Sequence, residues 1–124
     1  MAKNNMSIKW LKDSESHDYP AAKSYLSLIY DESYAKVTVK KLKRSSISEF
    51  KAKDIFRASG LSLLGVSNSH VEKDRRKIES GVELSPLLLV RDVIQGKVVI
   101  ADGYHRLCAI YSCDENAVIP CKIV

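Results

Sequence analysis

The run Lys97-Val98-Val99-Ile100-Ala101-Asp102-Gly103-Tyr104-His105-Arg106-Leu107 passes from strand-type residues into a break at Asp102-Gly103 and then, with no linker, into a helical pattern. A strand that ends in Asp-Gly and enters a helix at once aims several unpaired backbone N–H groups out of a sheet edge, where the helix dipole favours negative charge. Gly103 allows a positive φ and the close approach of an anion. Arg106 offers a two-pronged fork to phosphate oxygens, and His105 a further donor. Asp102 has several roles open to it. It can accept from a ribose hydroxyl, hold Arg106, help to ligate a Mg²⁺ whose other ligands are phosphate oxygens, or serve as the candidate catalytic carboxylate. A plain structural role, with Asp102 capping the helix and Arg106 paired to it on the surface, accounts for the same short motif.

Working outward, Pro86-Leu87-Leu88-Leu89-Val90 suits a strand covered on both faces, and the Gln95-Gly96 turn joins it to Lys97–Ala101 as a hairpin. The helix from Tyr104 to Ser112 is followed by a last strand over Val118–Val124. Upstream, Ser69-x-x-Glu72 is a capping box and Gly81 a C-cap, which predicts a helix over 70–80. Val71 and Ile78 mark its buried edge, while His70, Lys73 and Lys77 share another face at i, i+3, i+7. Ser46 with Glu49 predicts a further helix to Ser59, stopped by Gly60, with Asp54 set among Ile47, Phe50 and Ala58. The alternation Lys36-Val37-Thr38-Val39-Lys40-Lys41-Leu42 predicts a strand. Asp18 is expected to cap a first helix that carries Pro20 in its first turn, has Ala22, Tyr25, Leu26 and Ile29 as its stripe, and ends near Ser33. Trp10 is expected to anchor an N-terminal arm. The elements together predict an α+β fold, a small mixed sheet with flanking helices. Residues 1–35 are read as an N-terminal helical arm and 36–124 as the domain.

The 124 residues, 45% of them hydrophobic, have the size and composition of one globular domain. There is no run of about 18 apolar residues, and Met1–Met6 lacks the apolar stretch of a signal peptide, so a soluble cytoplasmic protein without a membrane partner is expected. Cys108, Cys113 and Cys121 show no zinc spacing with the three histidines and are read as free thiols in a reducing compartment. The net charge of +5 comes from residues 36–57, which hold eight Lys/Arg against two Asp/Glu. Such a segment suits an acidic partner such as nucleic acid, or is simply a solvated face.

The region 36–124 resembles the superfamily that joins the ParB amino-terminal domain and sulfiredoxin. Sulfiredoxins carry a strand, a G-C-H-R turn and a helix, then a final strand reading I-P-x-K followed by an apolar residue and Val; this chain has Gly103-Tyr104-His105-Arg106 and Ile119-Pro120-Cys121-Lys122-Ile123-Val124. That family also sets a short helix ending in Ile before a proline-led strand, as Ser69–Ile78 and Pro86–Val90 are set here. The resemblance implies a nucleotide site, a di- or triphosphate with Mg²⁺, held by Gly103, His105, Arg106, His70, Lys73 and Lys77. It leaves open a nucleotide hydrolase or phosphotransferase. The sulfiredoxin nucleophile is the Cys between Gly and His, a position that Tyr104 fills, so sulfinic acid repair is not expected. No region of helix-turn-helix type follows the last strand, so DNA reading by that route is not expected either. Two alternatives stand beside the nucleotide reading. One is a sequence-tolerant nucleic-acid-binding module that uses 36–57, with the turn at 103–106 gripping one further phosphate; the other is a protein-interaction domain with a relic site. A homo-oligomer is compatible with all three.

Overall fold

The computed structural model describes residues 7–124; the reading of Met1–Met6 lies outside the described residues. The chain runs α1 (Asp18–Ile29), α2 (Glu32–Arg44), β1 (Ser48–Lys51), α3 (Ala52–Ser59), α4 (Ser69–Glu79), β2 (Leu87–Asp92), β3 (Lys97–Asp102), α5 (Tyr104–Cys113) and β4 (Val118–Ile123). This is an α+β fold with one mixed sheet of four strands in the order β1-β4-β2-β3. β2 and β3 form the expected antiparallel hairpin, β2 and β4 pair in parallel, and β1 adds antiparallel to β4. No helix among the described residues is long and apolar enough to cross a membrane.

The alternating side chains of β2 divide the core in two. Leu87 and Leu89 face the layer made by α3, α4 and α5, while Leu88 and Val90 face α1 and α2. Both sets are buried, which is why β2 reads as an unbroken apolar run. The helices before residue 45 thus form a full layer of the sandwich, and the 35/36 boundary falls inside α2. Trp10 bridges to Leu84 and packs against the α3–α5 side of the core.

Four local expectations are corrected. Residues 36–42 are helical, within α2, not a strand. Over seven residues the two periods overlap, but burial falls on Ala35, Thr38, Val39 and Leu42, spaced i, i+3, i+4, i+7, while Val37 is 50% exposed. Asp31 caps α2 by accepting from the Tyr34 N–H at 2.8 Å, so α1 ends at Ile29 rather than near Ser33. The predicted helix from Ser46 is in fact β1 followed by α3: Glu49 lies opposite Pro120 and Phe50 opposite Ile119, and no capping box forms there. Tertiary pairing with β4 outweighs the local capping signal. Gly60 does stop α3, as expected, and Asp54 is exposed and paired to Arg57 at 3.2 Å. Finally, Asp18 does not cap α1. It is the first helical residue, 3% exposed, with its carboxylate turned into the fold.

The α4 reading holds to within a residue at either end, with one substitution of roles. Asn68, not Ser69, is the cap, accepting from His70 and Val71 N–H groups at 3.0 and 3.2 Å. Glu72 is occupied by Arg75 and Arg76 at 2.9 and 3.0 Å, and Glu79 by Arg75.

Candidate anion site at the strand–helix turn

β3 ends at Asp102, and Gly103, with φ of 108°, turns the chain directly into α5. The conformation is one that L side chains rarely adopt, and the space is closed as well: a Cβ on Gly103 would lie 2.8 Å from Leu87 Cγ and 2.9 Å from Arg106 Nη2. The turn faces α4, and together they line a polar cleft of about 190 Å³. His70, Lys73 and Lys77 come to it from α4; Gly103, His105 and Arg106 come from the turn, so all six residues expected to hold phosphate line one hollow. Asp74 and Asp102 line it too. With the other charged groups of α4 paired along the helix, Lys73 and Lys77 give the cleft its positive edge; Lys77 Nζ lies 4.0 Å from Asp74.

His70 and His105 have ring centroids 4.9 Å apart. Burial holds the His105 imidazole below its ordinary value, the neighbouring His70 adds to this, and Asp74 works against it. His105 is therefore mainly neutral at pH 7.5 and gains its charge only on acidification. An anion in the cleft favours that charged form. Relative to a His105→Asn variant, the wild-type affinity for pyrophosphate should accordingly rise several-fold between pH 7.5 and 5.5, by titration calorimetry at each pH. Comparison at matched pH cancels the ligand's own protonation. A constant ratio would mean that His105 does not face the bound anion.

Arg106 is placed differently from the free fork that was expected. Its Nη2 lies 3.1 Å from Asp102 Oδ2 and 3.8 Å from Asp18 Oδ2, and it reaches the Pro86 carbonyl at 3.5 Å. Its Nε is buried without a hydrogen-bond partner. The guanidinium thus stands behind the turn and lends the cleft charge more than a free pair of donors. Asp18 also accepts from the Ser85 hydroxyl, so α1, the segment leading into β2 and the turn are tied at one point. Burial raises the Asp102 carboxyl above its ordinary value, Arg106 pulls it down, and the adjoining Asp18 raises it further. Asp18 and Ser85 were missed by sequence reasoning. They stand 67 residues apart and no local pattern links them.

Tyr104 donates its hydroxyl to the Ser62 carbonyl, and its ring stands 5.6 Å from that of His105. Cys108 is fully buried, accepts from the Leu64 N–H at 3.5 Å, and burial pushes its thiol up. No cysteine lines the cleft. The basic segment is divided by the fold: Lys36, Lys40, Lys41, Lys43 and Arg44 lie on α2, whereas Lys53 and Arg57 lie on α3 across the sheet. Among the described residues, one group of side chains brings metal-ligating atoms within 4.8 Å of one another: Glu15, His17 and Asp18. The other carboxylate oxygen of Asp18 is already engaged by Ser85 and Arg106.

The fold and cleft define a small α+β domain with a basic, histidine-bearing hollow at a strand–helix turn. No family model matches the chain, and neither the curated proteins nor the solved structures yield a match.

Proposed function

We propose that the cleft binds the phosphate groups of a nucleotide, in a domain of ParB/sulfiredoxin-like type. The observation that carries this reading is the convergence of His70, Lys73 and Lys77 with Gly103, His105 and Arg106 on one hollow at a helix N-terminus. The Asp18 and Asp102 carboxylates account for Arg106, but packing gives no reason to set two lysines and two imidazoles beside it. A Mg²⁺ would enter with the phosphates and be held by them and by Asp102 or Asp74. Both carboxylates already have a cationic neighbour, Arg106 and Lys77, so the cleft supplies its own positive charge and the metal is assigned no step. Binding is the function the arrangement supports best. A hydrolase or phosphotransferase would add Asp102, its carboxyl raised by burial, as the acceptor of a proton from the attacking hydroxyl. With Tyr104 at the position of the sulfiredoxin nucleophile and Cys108 in the core, sulfinic acid repair is not proposed.

The test is calorimetric titration with ATP, ADP, CTP, GTP and pyrophosphate, with and without Mg²⁺, on the wild type and a Lys73→Ala/Lys77→Ala double variant. Saturable binding in the wild type, at least tenfold weaker in the double variant at unchanged melting temperature, is the expected result. A folded protein that binds none of the five ligands would overturn the reading.

The second reading, a nucleic-acid-binding module, is favoured by the five cationic side chains of α2. It predicts binding of single- and double-stranded oligonucleotides that weakens steeply with salt and is lost on charge reversal of Lys36 and Lys40. Insensitivity to both would remove it.

A further inference from the structure

The Asp102–Gly103 turn has two sides. On the side of α4 lies the basic cleft; on the side of α1, the residues Asp102, Gly103, Tyr104 and His105 border a second hollow of about 440 Å³. Its remaining walls are apolar: Ala21 and Tyr25 of α1, Leu61 from the loop after α3, and Ile100 and Ala101 of β3. Tyr25 and Leu61 are each 42% exposed. Tyr25 follows the stripe of α1, whose neighbours Ala22 and Leu26 are wholly buried, yet its ring stays at the mouth of this groove. An apolar hollow of this size, edged by one aromatic ring and a few polar groups, has the character of a small-molecule seat.

We infer that the two hollows are one ligand site, in which the groove against α1 holds the planar nucleoside end of the molecule whose phosphates occupy the basic cleft. The inference rests on the phosphate reading given above. It follows from continuity: a ligand anchored at Gly103 and His105 leaves the cleft either into solvent or across the four shared residues into the groove. Along that second route it meets Asp102, a carboxylate able to accept from a sugar hydroxyl, and the Tyr25 and Leu61 side chains, which offer a flat ring an aromatic and an aliphatic wall. α1 is thereby a part of the binding site, with Tyr25 as its stacking surface.

The full chain is titrated with pyrophosphate and with ADP, GDP and CDP, alongside Tyr25→Ala, Tyr25→Phe and Leu61→Ser. At least one nucleoside diphosphate should bind the wild type more tightly than pyrophosphate. Tyr25→Ala should weaken that ligand roughly tenfold, the scale of one lost stacking contact, and leave pyrophosphate unchanged. Tyr25→Phe should keep the affinity, and Leu61→Ser should lower it less than Tyr25→Ala does. Both positions are half exposed, so melting temperatures should hold. Pyrophosphate binding with no advantage for any nucleoside diphosphate, or an advantage indifferent to Tyr25→Ala, would overturn this inference while leaving the phosphate site standing. Failure of pyrophosphate and of all three nucleotides to bind would overturn both.

Discussion

Arg106→Ala should destabilise the protein by about 3 kcal/mol at neutral pH, the lower end of what breaking a buried ion pair costs. The guanidinium is the counter-charge to two carboxylates, Asp102 at 3.1 Å and Asp18 at 3.8 Å, and Asp18 is almost wholly buried. Without it, two negative groups face each other in a poorly solvated pocket, and Asp18 Oδ2 keeps only the Ser85 hydroxyl, with the exposed His17 imidazole 3.4 Å from its other oxygen. The loss should shrink on acidification. Burial already raises the Asp102 carboxyl and Arg106 pulls it down, so without Arg106 it titrates higher still in the folded variant, which then takes up protons more readily than its unfolded chain as pH falls. Its stability rises relative to wild type over that range. Urea unfolding at pH 7 and pH 4.5 measures both effects. A variant within about 0.5 kcal/mol of wild type at pH 7 would mean that Arg106 behaves as a surface group. The same network makes Arg106→Ala a poor probe of ligand contact, since it removes a structural tie together with any charge on the ligand. Lys73 and Lys77 can be changed without touching it.

Gly103→Ala should cost about 3 kcal/mol by a different route, combining roughly 1–3 for the backbone conformation with a similar amount for overpacking. At φ of 108° a side chain is strained before it meets any neighbour. The new Cβ would then meet Leu87 Cγ at 2.8 Å and Cδ1 at 3.1 Å. Leu87 is wholly buried at the centre of the sheet and has no room to give. A double-mutant cycle separates the two causes. In a Leu87→Ala background the Leu87 contacts are gone, so the added cost of Gly103→Ala should fall by about 1 kcal/mol or more, leaving the conformational part and the 2.9 Å approach to Arg106 Nη2. Equal costs in both backgrounds would show that Leu87 does not resist the change.

What could be read in the sequence were the features decided within a few residues. The Asp102-Gly103 break puts strand, turn and helix in order, because glycine is the residue that accepts the backbone such a turn needs. The Val71/Ile78 edge and Gly81 place α4, and the spacing of His70, Lys73 and Lys77 puts them on one face. The apolar run before Asp92 and the turn at Gln95-Gly96 place the hairpin. Where two local codes competed, the chain alone did not choose. Lys36–Leu42 fits a period of two as well as 3.6, and the choice falls to helix because Ala35, Thr38, Val39 and Leu42 are the residues that meet the sheet. Ser48–Lys51 becomes a strand because β4 offers it a ladder, a partner about seventy residues further along the chain.

The sequence by itself therefore determined the α+β class, the turn, and the shared helix face of His70, Lys73 and Lys77. Only the tertiary structure decided where these residues stand relative to one another. It set α4 against the turn so that six separate residues share one cleft, turned Arg106 inward onto Asp18 and Asp102, and left Tyr25 at the mouth of a neighbouring groove. The division has a physical cause: capping, turn geometry and helical spacing are local, whereas a buried charge finds its counter-charge only once distant segments have packed around it.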